Sequence, residues 1–364
     1  MPRFSFKFFL LLPFFLVSLS SHRPPAPIGV RPKNVILLIG DGMGVTQVTA
    51  GMYSNNNFLH LEAFPITGLM KTHAAKQLVT DSAAGATAFA CGCKTYNGAI
   101  GVCNDKKASP TLLEQAEALG LATGMVATSS ITHATPASFI AHVKDRGMKE
   151  EIAAYFLETD IDLFVGGGMA NFNNRKTDQR NLVAELIAKG YNVSDFRDSP
   201  LPNSNPLTTM PFAWFAADEE PGKVSEGRTY LPDATFMAAN FLKKRSEKGF
   251  FLMVEGSQID WGGHAQNAEY TIKEMIDFDN AIGRALEFAR ADGETLLIVT
   301  ADHETGGMAI VQGSEMGNLE VQFVTNSHTA TMVPVFAFGP GAELFGGIID
   351  NTDIYTKIKN LLEL

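Results

Sequence analysis

Short, unbroken apolar runs alternate along this chain with stretches in which apolar residues recur every three or four positions. The first run, Val35 to Ile39, has five apolar residues in a row, the pattern of a strand buried on both faces. It stops at Gly40-Asp41-Gly42, where small residues let the backbone turn sharply. Further strands are predicted at 64–72, 121–130, 162–168, 250–255, 295–301 and 333–338. Between them the spacing predicts helices at 45–53 (Thr46 a candidate cap), 82–92, 111–119, 136–143, 150–158, 181–189, 233–244, 265–290 and 352–362. Regular alternation of strand and helix argues for an α/β fold, a three-layer α/β/α sandwich around a central, mostly parallel sheet. The stretch 309–324 reads as a small antiparallel addition, and 195–210, rich in Pro, Ser and Asn, as a surface loop.

The N-terminus does not fit that alternation. Arg3 and Lys7 precede an apolar run over 8–19, broken by Pro13 and Ser18 and followed by Ser20 and Ser21. The run is too short to span a bilayer, so 1–21 reads as a secretory signal peptide. Residues 22–32 form a Pro-rich lead-in, leaving 33–364 as one domain. The formal charge of −10 and pI near 5.3 argue against nucleic-acid binding, and no basic tract exceeds Lys243-Lys244-Arg245. An acidic protein still binds phosphate where metals supply the positive charge. The cysteines are Cys91, Cys93 and Cys103. A Cys91–Cys93 bridge is geometrically awkward, and Cys103 could pair with either; the spacing is neither a zinc finger nor a CxxC redox pair.

Candidate chemistry gathers where strands stop. Asp41 follows the first strand, Glu255 and Asp260 follow another, and Asp302 and His303 a third. In a parallel sheet these ends share one edge, where ligands collect. Four carboxylates there are costly without cations. Asp260 and His264 are four apart, so one helical turn puts them on one face; His328 follows later in the chain. Carboxylates with imidazoles suit zinc, and carboxylates with a hydroxyl suit magnesium. Ser82 would lie in the first turn of an Ala-rich helix, where free N–H groups favour an anion. The residues alone leave it open as a cap or a nucleophile, and leave Asp81 open as a cap or a partner orienting Arg146. His60 and His73 read as surface or loop residues, His142 as a packing residue on the helix after Pro136 or a support behind Arg146 or Asp260, and Trp214 as core or a surface patch.

Five motifs stand in order: IGDGMG at the first strand, TDSAAGATA around Ser82, HATPA with Arg146 beyond it, EGSQID–GGH, and TADHETGG followed by His328. Together they resemble the alkaline phosphatase family, in particular its exported bacterial members, from Lys33 to the C-terminus. The resemblance implies an alkaline-phosphatase-like catalytic domain that hydrolyses a broad range of phosphate monoesters through a phosphoserine on Ser82, with Arg146 clamping the phosphate oxygens. It implies Asp41, Asp302 and His303 as ligands of a zinc that activates Ser82, and Asp260, His264 and His328 as ligands of a second zinc at the leaving oxygen. Asp41, Thr135 and Glu255 would form a third site, normally magnesium. It also implies a homodimer; the signal peptide itself points to the periplasm or the medium, and with no Cys near its end and no second span a stable membrane anchor is not expected. Two positions depart from the best-known bacterial form, which has Asp where His133 stands and Lys where Trp261 stands. They put metal identity and affinity at the third site in question, not the reaction type. The competing expectations are a phosphodiesterase or sulfatase of related fold, and an exported protein that binds phosphate or metal without chemistry.

Overall fold

Five consecutive apolar residues leave neither face of a strand suited to water, and Asn34–Gly40 (β1) is buried along its whole length. The computed structural model describes residues 29–197, 201 and 209–364. The expected signal peptide, residues 22–28 of the lead-in and most of the 195–210 loop lie outside the described residues. The other strands of the main sheet are Ile66–Lys71 (β2), Ala122–Ser130 (β3), Leu163–Gly167 (β4), Asn192–Asp195 (β5), Phe212–Phe215 (β6), Phe250–Gly256 (β7) and Thr295–Thr300 (β8), with Val333–Phe338 and Gly347–Asp350. The ten strands lie in the order Gly347–Asp350, β2, Val333–Phe338, β8, β1, β7, β3, β4, β6, β5. Only Val333–Phe338 runs against its neighbours; the remaining pairings are parallel.

Helices cover the sheet in two groups. Val45–Ser54, Tyr230–Arg245 and Ala268–Asp292 pack together, as do Ser82–Cys91, Leu112–Ala118 and Asn351–Leu362. A short antiparallel ribbon pairs Met308–Ile310 with Val321–Phe323, as the pattern over 309–324 predicts. Among the described residues, no helix is long and apolar enough to cross a membrane.

Several local expectations need correction. The helix predicted at 136–143 is only Ala134–Ala137, and the chain then extends so that Val143 pairs with Ile100. His142 therefore lies off the helix. The long helix predicted from 265 divides into Gln258–His264 and Ala268–Asp292. The break follows Gly262 and Gly263, and Asn267 caps the second helix by accepting from the Tyr270 N–H. Thr46 caps nothing, because Gly44 occupies the cap position. The strands β5, β6 and Gly347–Asp350 were not anticipated, being only four residues each. Trp214 lies on β6, in the core. The bridge forms between Cys93 and Cys103, leaving Cys91 buried and free.

Candidate metal centre and phosphate clamp

The strand order supplies the site. β8, β1 and β7 are adjacent, with Ile39 of β1 level with Glu255 on one side and Thr300 on the other. Asp41, Glu255 and Asp302 therefore emerge side by side at the carboxyl edge, all fully buried. The turn after β1 tolerates only glycine at Gly42. Its φ is +73°, and a Cβ there would lie 2.7 Å from the Asp260 backbone. The Gly42 and His303 N–H groups donate to Asp302 Oδ1, at 3.2 and 2.9 Å.

The carboxylates are not satisfied by the chain. Both oxygens of Asp41, Oδ2 of Asp302 and Oε1 of Glu255 are buried and accept no hydrogen bond from the described residues, and the Thr135 hydroxyl and His133 Nδ1 are buried without a partner. Burial, with Asp302, Asp260 and Glu255 nearby, pushes the Asp41 carboxyl well above the usual carboxylate range. Burial likewise lifts Glu255 to about 7 and, with Asp260 beside it, Asp302 to about 6. Keeping these carboxyls ionised together at neutral pH takes cations close to their orphaned oxygens.

The imidazoles point the same way. His264 Nδ1 donates to the Asn326 carbonyl at 2.8 Å, and His328 Nδ1 donates to the Thr80 carbonyl, also at 2.8 Å. Carbonyls only accept, so each Nδ1 carries hydrogen and each Nε2 of a neutral ring offers a lone pair. Those Nε2 atoms face one another at 3.1 Å and flank Asp260, at 3.3 and 3.6 Å. A cation between them removes the repulsion. Without a metal a proton takes that place: the Asp260 hydrogen bond holds His264 up at about 9. Burial opposes ionisation of Asp260, but His264 and the other imidazoles keep its carboxyl below the usual range. His303 stacks on His328, with ring centroids 3.6 Å apart, and burial holds His303 down at about 4, in its neutral form. Its Nε2 lies 3.2 Å from Asp302 and 3.5 Å from Asp41. Three sets of ligand atoms converge within 4.8 Å: Asp260, His264 and His328; Asp41, Asp260 and His303; and Asp41, His133 and Glu255. Orphaned oxygens and inward-facing Nε2 atoms are the donor chemistry that divalent metals take.

Ser82 opens the helix Ser82–Cys91, and its Oγ lies 3.4 Å from His303 Nε2. Asp81 fills both roles left open by the sequence. Its Oδ1 caps the helix by accepting from the Ala84 N–H at 3.0 Å, and its Oδ2 accepts from Arg146 Nη1 at 3.1 Å. Arg146 Nη2 lies 3.4 Å from His133 Nε2, and Trp261 packs edge-on against His133 with ring centroids 5.9 Å apart. Burial, and then Arg146, holds His133 down at about 4. A half-exposed guanidinium thus stands beside a serine at a helix N-terminus, next to the buried carboxylates.

Other residues entered without a sequence-derived role. Thr305 Oγ1 lies 2.5 Å from Asp260 Oδ1 and 3.2 Å from His303 Nδ1, so one hydroxyl joins two ligand sets. Glu304 ties Gln47, Thr329 and the Gly307 and Met308 N–H groups together behind them. Ser129 and Ser257 donate to Glu255 Oε2 at 3.2 and 2.6 Å. Glu220 accepts from the Ser130 N–H and from Lys149. Thr305 could have been noted from its place two residues after His303; nothing in the sequence marks Glu220. His142 contacts Gly101 and Glu114, and bonds directly to neither Arg146 nor Asp260.

Comparison with known proteins agrees with the motifs. Residues 32–324 match the sequence profile of the family described as alkaline phosphatase. Alkaline phosphatase 3 of Bacillus subtilis is 35% identical, over 91% of this chain and 89% of that protein. Alkaline phosphatase of Escherichia coli is 34% identical, over 91% and 86%. The solved alkaline phosphatase of the Antarctic bacterium TAB5 superposes with a TM-score of 0.87 at 45% identity, covering 92% of this chain and 99% of that one. A His-to-Asp variant of that protein was solved with magnesium in a site termed M3. The chain belongs to the alkaline phosphatase family, enzymes that hydrolyse phosphate monoesters.

Proposed function

We propose that this chain, with 33–364 as a single catalytic domain, hydrolyses a broad range of phosphate monoesters through a covalent phosphoserine on Ser82. The observation that carries this reading is the placing of the Ser82 hydroxyl, at a helix N-terminus, between the Asp81–Arg146 pair and His303. Asp41, Asp302 and His303 would hold one zinc, Asp260, His264 and His328 a second, and Asp41, Thr135 and Glu255 a magnesium, with His133 facing that third site. These ions would supply Lewis-acid stabilisation of the attacking and leaving oxygens and neutralise the carboxylates.

Arg146 binds two phosphate oxygens through its planar fork, and Asp81 holds that fork in place. The free N–H groups of the Ser82 helix add partial positive charge at the same spot. Ser82 Oγ forms the bond to phosphorus as the alcohol oxygen leaves and takes up a proton. Water then attacks the phosphoserine, and Ser82 Oγ leaves and regains its proton. Two displacements give overall retention at phosphorus. No group in this set reads the alcohol, which supports breadth. Trp261, replacing a cation, weakens the hold on product phosphate. The amino-terminal segment supports export to the periplasm or medium, and the family supports a homodimer.

The test is turnover of a chromogenic phosphate monoester beside a diester, by wild type and by Ser82→Ala. The reading requires monoester turnover that a chelator abolishes, that zinc with magnesium restores, and that Ser82→Ala lowers by about 10⁴-fold or more. A folded, zinc-loaded protein that cleaves only the diester, or that binds phosphate without turnover, overturns it.

A further inference from the structure

The phosphate clamp is assembled on a loop that contributes no side chain to it. Gly98 lies inside the loop closed by Cys93 and Cys103, a span of 10 residues. Its N–H donates to Asp81 Oδ2 at 3.0 Å, and its carbonyl accepts from the Arg146 N–H at 2.8 Å. Asp81 in turn accepts from the Arg146 guanidinium. These three bonds form a ring: one peptide segment fixes the carboxylate, the backbone of the arginine, and through the carboxylate the guanidinium. Gly98 has φ +89°, a conformation that other residues rarely adopt.

The same loop is bonded to both chain segments that meet at the clamp. Toward the Ser82 helix, Asn97 Nδ2 donates to the Val79 carbonyl at 3.2 Å, and Thr87 Oγ1 donates to the Ala99 carbonyl at 3.0 Å. Toward Arg146, Ile100 and Val143 exchange both backbone hydrogen bonds at 3.0 Å, and Tyr96 Oη donates to the Lys144 carbonyl at 3.0 Å. The bridge closes this insert at its two ends. A covalently closed loop has fewer open conformations to visit, and a binding group held in its bound pose loses less freedom when ligand arrives.

We propose that the loop closed by Cys93–Cys103 is a positioning element for the phosphate clamp, and that opening it weakens phosphate binding rather than the chemical step. The inference rests on the phosphatase reading above.

The experiment compares wild type, Cys93→Ser/Cys103→Ser and Gly98→Ala, each loaded with zinc and magnesium and assayed for metal content. KM and kcat are measured with a chromogenic monoester, and the inhibition constant with inorganic phosphate. The double variant opens the bridge; Gly98→Ala strains the ring while leaving the bridge intact, and it reports separately if the double variant fails to fold. The expected result is a rise of about three- to tenfold in KM and in the phosphate inhibition constant of either variant, with kcat lowered by less and full metal content. Unchanged KM and inhibition constant in a folded, metal-loaded variant overturn the inference. Loss of metal without loss of phosphate affinity also overturns it. Absence of turnover in wild type would instead defeat the phosphatase reading itself.

Discussion

Two buried clusters of charge in this molecule look alike in composition and differ in construction. Arg228 lies between Glu274 and Asp277, with all three side chains nearly inaccessible. Glu274 also accepts from the Val224 N–H at 2.9 Å, and the Arg228 Nε donates to the Gly222 carbonyl at 3.0 Å. That cluster brings its own cation, and its partners are all in the chain. At the carboxyl edge of β1, β7 and β8, by contrast, the carboxylates of Asp41, Glu255 and Asp302 have buried oxygens that nothing in the described chain satisfies. Burial alone does not mark a functional site, since both clusters are buried. What separates them is whether the chain completes its own electrostatics.

The largest expected effects come from exchanging those properties. Asp41→Asn leaves a polar side chain of similar shape but removes one charge from the incomplete cluster. Turnover should fall by about 10³-fold, with zinc content below that of wild type. Thermal stability of the chelated protein should stay level or rise, because like-charge repulsion is relieved. Arg228→Met should do the reverse. It strands two buried carboxylates and should cost about 3–5 kcal/mol of stability in chemical denaturation, with zinc content unchanged. If Asp41→Asn destabilised the chelated protein as much as Arg228→Met, the contrast between the clusters would be wrong.

A smaller effect is expected where the two kinds of construction meet. The Thr305 hydroxyl is a completed hydrogen bond inside the incomplete cluster, donating to Asp260 and accepting from His303 Nδ1. Outer partners of this kind orient ligands and raise their basicity. Thr305→Val keeps the volume and loses both bonds. Competition with a zinc-sensitive dye should show zinc affinity reduced by about 10- to 100-fold. An unchanged affinity would mean that the carboxylate and imidazole hold their poses without it.

The sequence revealed most where a short apolar run met an acidic residue. β1, β7 and β8 could be read from their runs, and the clustering of their ends from parallel topology, so Asp41, Glu255 and Asp302 were predictable neighbours. The strand order that makes those three adjacent was not legible, since it depends on crossovers between distant segments. β5 and β6 escaped because four residues carry too little periodicity to separate strand from loop. The helix expected at 136–143 was outweighed by tertiary pairing of Val143 with Ile100. That pairing belongs to the disulfide loop, whose partner for Cys103 the spacing left open.

His142 was read as a packing residue on that missing helix, and its actual environment gives the smallest effect. Its Nδ1 lies 2.7 Å from the Gly101 carbonyl and its Nε2 lies 3.0 Å from Glu114 Oε1. Both partners are acceptors, so only the doubly protonated ring satisfies them. Burial pushes the His142 pKa down, but these two bonds prevail and hold it above the ordinary 6.5. Burial also opposes ionisation of Glu114, yet His142 and Thr111 keep its carboxyl below the ordinary 4.5. The raised imidazole contributes stability that is complete below 6.5 and lost as pH rises through the folded value. The lowered carboxylate contributes stability that is complete above 4.5 and lost as pH falls through its folded value. The pair is therefore strongest from 4.5 to 6.5. His142→Gln keeps one donor and cannot be charged. Melting curves across pH should show a deficit of about 2 °C in that window, shrinking as pH rises through the folded value of His142. A deficit that stays constant with pH would assign His142 to shape alone, with no charge in the pair.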